Sequence, residues 1–98
     1  MLIYVAHSDL TQQDIEHAYA VTRRLQYRNP ADSFICPVIA FSHLRDSRIT
    51  VKEYKGIRHD LLSACDILLI ASDTDRAVRE DIACAKAIHK EVRKLGKN

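Results

Sequence analysis

Cys65 to Ile88 reads CDILLIASDTDRAVREDIACAKAI, an apolar run, a polar break and a helical pattern in immediate succession. Ile67, Leu68, Leu69 and Ile70 form the continuous apolar run that a strand covered on both faces requires. Ser72, Asp73, Thr74 and Asp75 then supply turn and helix-capping chemistry, and Glu80 falls in the first turns of the helix that follows. Open α/β sheets hold their ligands where a strand hands the chain to a helix N-terminus, so this stretch sets both a βα unit and a candidate site.

Upstream, Leu2 to Ala6 is apolar throughout and reads as a central buried strand, ended by His7, Ser8 and Asp9. From Leu10 the period changes. Ile15, Ala18, Tyr19, Thr22 and Leu25 recur at spacings of three and four, one stripe of an amphipathic helix. Ser8, Asp9, or Thr11 with Asp14, can cap its start, and Asn29-Pro30 stops it. The second apolar run, Ser33 to Phe41, is interrupted by Pro37, which cannot donate to a ladder; the strand is expected over Phe34 to Cys36, ending there or lying at a sheet edge. Ser42 to Asp46 makes a polar connection. Thr50 caps a helix to about Ala64, with Tyr54, Ile57, Leu61, Leu62 and Cys65 on its buried stripe. Ile67 to Ala71 is the third strand, about Arg76 to His89 the third helix, and Val92 with its neighbours a short last strand or helix tail. Such alternation predicts an α/β protein, a small parallel sheet with helices on both faces joined by right-handed crossovers. His7, Ser42 and Ser72 then share the C-terminal rim of the sheet.

The 98 residues correspond to one domain, residues 1–98. A net charge of +2, no Trp and six Phe plus Tyr give no basic, aromatic face of the kind that nucleic acid requires. Lys90, Arg93, Lys94 and Lys97 read as a solvated helix end and tail. Cys36, Cys65 and Cys84 have neither Cys-x-x-Cys nor zinc spacing, and read as reduced core residues of a cytoplasmic protein. The N-terminal apolar run is too short for a signal peptide, and no segment reaches the roughly 20 apolar residues of a membrane span. The histidines lack metal-ligand spacing. His7 and His43 are rim candidates, whereas His17, His59 and His89 read as surface residues. With only Gly56 and Gly96, both the Gly-x-Gly-x-x-Gly fingerprint and a Walker loop are absent. A phosphate would have to be held by helix N-termini and side chains such as Ser8, Ser42 or Ser72.

Several pieces, taken in chain order, resemble the nucleoside 2-deoxyribosyltransferase superfamily, in particular its small bacterial and phage branch. They are Ile3-Tyr4-Val5-Ala6, Ile35-Cys36-Pro37-Val38 with Ser42-His43-Leu44, LLSACDILLIA over Leu61 to Ala71, and Glu80 followed by Ile82-Ala83 and Ala85-Lys86. The resemblance implies a flavodoxin- or Rossmann-like three-layer sandwich, oligomeric as a dimer or larger. It also implies cleavage or transfer at the N-glycosidic bond of a nucleoside or nucleotide, without metal or organic cofactor. It assigns the nucleophile to Glu80 and makes Tyr4 the group that orients that carboxylate. His7, Ser8, Ser42, His43, Ser72 and Arg76 become the candidates to hold sugar, base or phosphate.

Two departures bear on that reading. The family's glycine-alanine pair before the glutamate is here Arg76-Ala77, and its acidic residue eight positions before Asp66 is here Arg58. Asp60, two residues on, points roughly 200° away on a helix. The acid that would protonate a leaving base is therefore open among Asp60, Asp73 and Asp75, while Asp66 reads as a structural residue. Two outcomes remain open from sequence: an enzyme with Glu80 as nucleophile, and a nucleotide or sugar-phosphate binding module, or an oligomeric structural subunit, of the same fold.

Overall fold

Leu2 to Ala6 forms the inner strand β1 of a computed structural model that describes residues 1–72 and 75–96. It pairs in parallel with β2 (Ser33–Ile35) on one side and β3 (Ile67–Ile70) on the other, and β4 (Glu91–Lys94) adds to β3, giving the order β2-β1-β3-β4. The register runs from Ile3 opposite Ile67 to Ala6 opposite Ile70, so the strands end along one rim. Strand periodicity divides β1 between two cores. Tyr4, Ala6 and Leu68 pack with Leu62, Val78 and Ala85, whereas Val5 packs with Ala18, Val21, Cys36 and Val38. Helices α1 (Gln12–Arg28) and α2 (Pro37–Ala40) therefore cover one face, and α3 (Val51–Ala64) and α4 (Arg76–Ala87) the other. The parallel sheet sandwiched between helices is the α/β class expected from the alternation.

The local signals explain where the helices begin. Thr11 accepts from the Asp14 amide and Asp14 returns to the Thr11 amide, and Thr50 with Glu53 repeats the reciprocal arrangement. Asp75 accepts from the Val78 amide at 2.8 Å and opens α4. Pro37 both ends the edge strand and occupies the first turn of α2, where its missing N–H costs nothing. As a result β2 lies one residue earlier than expected, and Cys36 becomes the α2 cap. Asp66 has the structural role expected of it, accepting the Leu2 amide at 2.8 Å.

Helix α4 stops at Ala87, two residues short of the expected His89. The cause is a Schellman turn: the Lys90 amide donates to the Ala85 carbonyl at 2.8 Å, and the His89 amide to that of Lys86 at 3.2 Å. This closure places His89 at φ 61°, a left-handed conformation that crowds its Cβ. His89→Gly is expected to stabilise the fold by about 1 kcal/mol, read as a higher midpoint in urea with unchanged slope. An unchanged or lower midpoint contradicts the strain.

Candidate functional site

Loops after two strands meet at the C-terminal rim. After β1 the chain passes through His7, Ser8 and Asp9; after β3 it passes through Ala71 and Ser72 toward the Asp75 cap of α4. The Ser8 amide donates to Ser72 Oγ at 2.9 Å, fastening the two loops across the gap between β1 and β3. Beside this seam Asp9, Leu10, Val51, Lys55, Arg58, Asp75, Arg76, Ala77 and Glu80 line a groove of about 220 Å³. A second hollow of about 220 Å³ shares Asp9 and Val51 with it and is otherwise walled by Phe41, Leu44, Arg45, Ile49, Thr50 and Tyr54. Phe41 and Tyr54 meet edge to face there, with centroids 6.2 Å apart. The groove thus holds most of the charged side chains, and the hollow beside it the aromatic ones together with Asp9 and Arg45.

Two carboxyl groups of the groove are shifted in opposite directions. Lys55 Nζ lies 2.8 Å from Glu80 Oε2 and Arg76 Nε 3.4 Å from Oε1. The Lys55 hydrogen bond, with the charges of Lys55, Arg76 and Arg58, holds the Glu80 carboxyl below its ordinary range. Asp9 moves the other way, because burial and then the Asp75 charge raise it against the opposing pull of Arg45 and Arg58.

Beneath the groove lies a third carboxylate that the sequence reading missed. Asp81 is 3% exposed; it accepts from the Tyr4 hydroxyl at 2.7 Å, from Arg58 Nε at 3.1 and 3.2 Å, and engages His59 Nε2 at 3.0 Å. Burial first, then the Asp81 charge, push the Tyr4 phenol far above its ordinary value and keep it a neutral donor. The expectation that Tyr4 orients Glu80 is therefore corrected: its hydroxyl bonds Asp81, the next residue. One helical step is 100°, enough to turn Asp81 under the sheet-facing side of α4 while Glu80 faces Lys55 of α3. Arg58, itself 5% exposed, lies with its guanidinium carbon 5.0 Å above the Tyr54 ring, joining the Asp81 cluster to the aromatic hollow.

The other candidates are distributed unevenly. Arg76 lines the groove, and Ser8 and Ser72 form its seam. His7 is buried and outside the lining, its Nε2 2.7 Å from His17 Nδ1 and its Nδ1 2.7 Å from the Ser8 carbonyl oxygen. The side chains of Ser42 and His43 do not line the two hollows; their neighbours Phe41, Leu44 and Arg45 do. Asp60 is exposed on α3 and outside the groove, as its angular offset from Arg58 predicts. Asp73 lies outside the described residues, whereas Asp75 lines the groove from the α4 cap. His59, read from sequence as a surface residue, belongs to the buried cluster, and Asp9 and Lys55 are additional groove residues. Burial raises the Cys65 thiol to about 11, in keeping with a core thiol. Among the described residues no group of three or more His, Cys, Asp or Glu is arranged to hold a metal ion, and no helix is long and apolar enough to cross a membrane.

The arrangement can be set beside solved structures. A conserved protein from Enterococcus faecalis V583 superposes with a TM-score of 0.80 at 17% identity, covering 97% of this chain and 62% of its own. A 2-desoxiribosyltransferase from Leishmania mexicana gives 0.70 at 15% identity, covering 99% and 65%. A 2-deoxyribosyltransferase from the psychrotolerant bacterium Bacillus psychrosaccharolyticus gives 0.68 at 15% identity, covering 96% and 71%. The chain thus has the deoxyribosyltransferase fold that its sequence resembles, and spans less than two thirds of the length of the first two neighbours. No protein-family model and no curated protein sequence matches it.

The buried cluster makes a stability prediction. Asp81→Asn leaves the Arg58 charge buried without its counterion and is expected to cost about 3–5 kcal/mol, against about 1–3 kcal/mol for Tyr4→Phe. Chemical denaturation of the two variants and the double variant should give less than the sum of the single losses. A surface-like cost below about 0.5 kcal/mol for Asp81→Asn would contradict the burial of the pair.

Proposed function

We propose that this chain acts on the N-glycosidic bond of a nucleoside or nucleotide, with Glu80 as nucleophile and Asp9 as the acid. The observation that carries the reading is a groove that brings Glu80, Lys55, Arg76 and Asp9 together beside an aromatic hollow; the opposite shifts of the two carboxyls agree with it. The neighbouring aromatic hollow suits a planar base, and the fold shared with two 2-deoxyribosyltransferases agrees with that choice. In the first step a Glu80 oxygen bonds to the anomeric carbon as the carbon–nitrogen bond breaks. The electron pair leaves with the base nitrogen, which takes the Asp9 proton. In the second step water, or another base, attacks the anomeric carbon and gives its proton to the Asp9 carboxylate. The ester oxygen returns to Glu80. Lys55 and Arg76 hold the Glu80 carboxyl below its ordinary range, while Asp81 stays beneath the groove with both oxygens engaged.

A second reading, binding without turnover, draws on the same ion pairs, since two cations on Glu80 temper its nucleophilicity. Incubation with a panel of nucleosides and nucleoside 5′-monophosphates separates the two by the appearance of free base. Glu80→Gln is expected to lower release by at least about 100-fold at unchanged fold. The pH profile should be a bell. Activity is lost on the acid side below the ordinary carboxylate range as Glu80 protonates, and on the alkaline side above that range as Asp9 ionises. Asp9→Asn should lower the rate and remove the alkaline limb. Saturable binding with no base released by wild type would favour the binding module.

A further inference from the structure

Arg58 has an unusual position for a buried cation. Its side chain is 6% exposed, its Nε is held by Asp81 from below, and the Tyr54 ring lies against it. It nevertheless lines the groove. Among the described residues its two terminal amino groups have no hydrogen-bond partner, and neither is fully buried, so each keeps some contact with solvent. Held in this way, a guanidinium presents a pre-oriented pair of N–H donors, the geometry that planar or tetrahedral oxyanions accept two at a time. Lys55 and Arg76 stand on the same wall with Glu80 between them.

From this arrangement we infer that Arg58, Lys55 and Arg76 form an oxyanion subsite and that the ligand of the groove carries a phosphomonoester. This rests on the nucleoside-type ligand proposed above, whose ordinary anionic group at neutral pH is its phosphate. The subsite makes Arg58 a specificity-determining residue, since an acid there would repel the same group. It also gives the Glu80 ion pairs a second state. A phosphate dianion competes for Lys55 and Arg76, and their transfer to it releases the Glu80 carboxylate only when the ligand is seated. Asp9 and Asp75 also line the groove and oppose an anion there.

Calorimetric binding of matched ligands tests the inference without reading base release, so it stands or falls apart from the glycosidic chemistry. The probes are a nucleoside 5′-monophosphate, the same nucleoside, ribose 5-phosphate, ribose and inorganic phosphate. The monophosphate is expected to bind at least about 10-fold more tightly than the nucleoside, and ribose 5-phosphate more tightly than ribose, with the preference shrinking as salt rises. Lys55→Gln and Arg76→Gln, at exposed or half-exposed positions, should each reduce that preference. Arg58→Lys, which keeps the charge but loses the fork, should reduce it too. If Arg58→Lys fails to fold, the two surface variants decide the matter. Equal affinity for nucleoside and monophosphate, or a preference that survives both Gln variants, overturns the subsite. Tight phosphate binding with no base ever released leaves the subsite standing and removes the glycosidic reading.

Discussion

The buried Asp81 carboxylate is the constraint around which this structure is arranged. An isolated ionised carboxylate inside a protein is expensive, and each donor that makes it tolerable comes from another element: Tyr4 from β1, Arg58 and His59 from α3. Such a pair adds little net stability compared with well-packed hydrophobic residues, yet breaking one side of it is costly. Its effect is therefore on geometry. Apolar contacts between α3 and α4 tolerate sliding, but a carboxylate bonded to three fixed donors tolerates little, and the two helices are held at one rotation and height against β1. The groove lies between those helices, so its shape depends on this interaction below it.

The fold was legible because its elements carry redundant local signals. The apolar runs at residues 2–6 and 67–70, the Thr11 and Thr50 caps and the Pro37 stop each mark an element independently; apart from the short helix Pro37–Ala40 and the 3-10 turn Ser42–Leu44, which were not anticipated, the errors amount to one or two residues at ends. The α4 terminus was misjudged because the signal ordinarily used is glycine, and here His89 occupies the left-handed position.

The site was less legible, and the reason is angular. Glu80 and Asp81 are adjacent in sequence but 100° apart on a helix, and resemblance to a family pattern with a single glutamate does not separate them. The hydrophobic stripe does. Val78, Asp81, Ile82 and Ala85 fall at spacings of three, four and seven, so Asp81 interrupts the buried face of α4 while Glu80 lies off it. On α3, Arg58 likewise interrupts the stripe that runs through Tyr54, Leu61, Leu62 and Cys65. One negative and one positive charge on two facing apolar stripes are the recoverable mark of a buried pair. Asp9 left no comparable trace, because its shift comes from its surroundings: burial, and an Asp75 that is distant in sequence and placed by a different loop.

This division assigns separate tasks to neighbouring carboxylates. Asp81 is buried and has no free oxygen, so it can fix a position but offers nothing to a ligand. Glu80, one step around the helix, faces the groove, where Lys55 and Arg76 hold its carboxyl below the ordinary range. Arg58 connects the two levels, since its Nε is anchored to Asp81 while the residue also lines the groove. The charge of the groove is thus set partly by a residue whose location is dictated by the core. Arg58 thereby carries a charge fixed by the buried cluster into the lining of the groove.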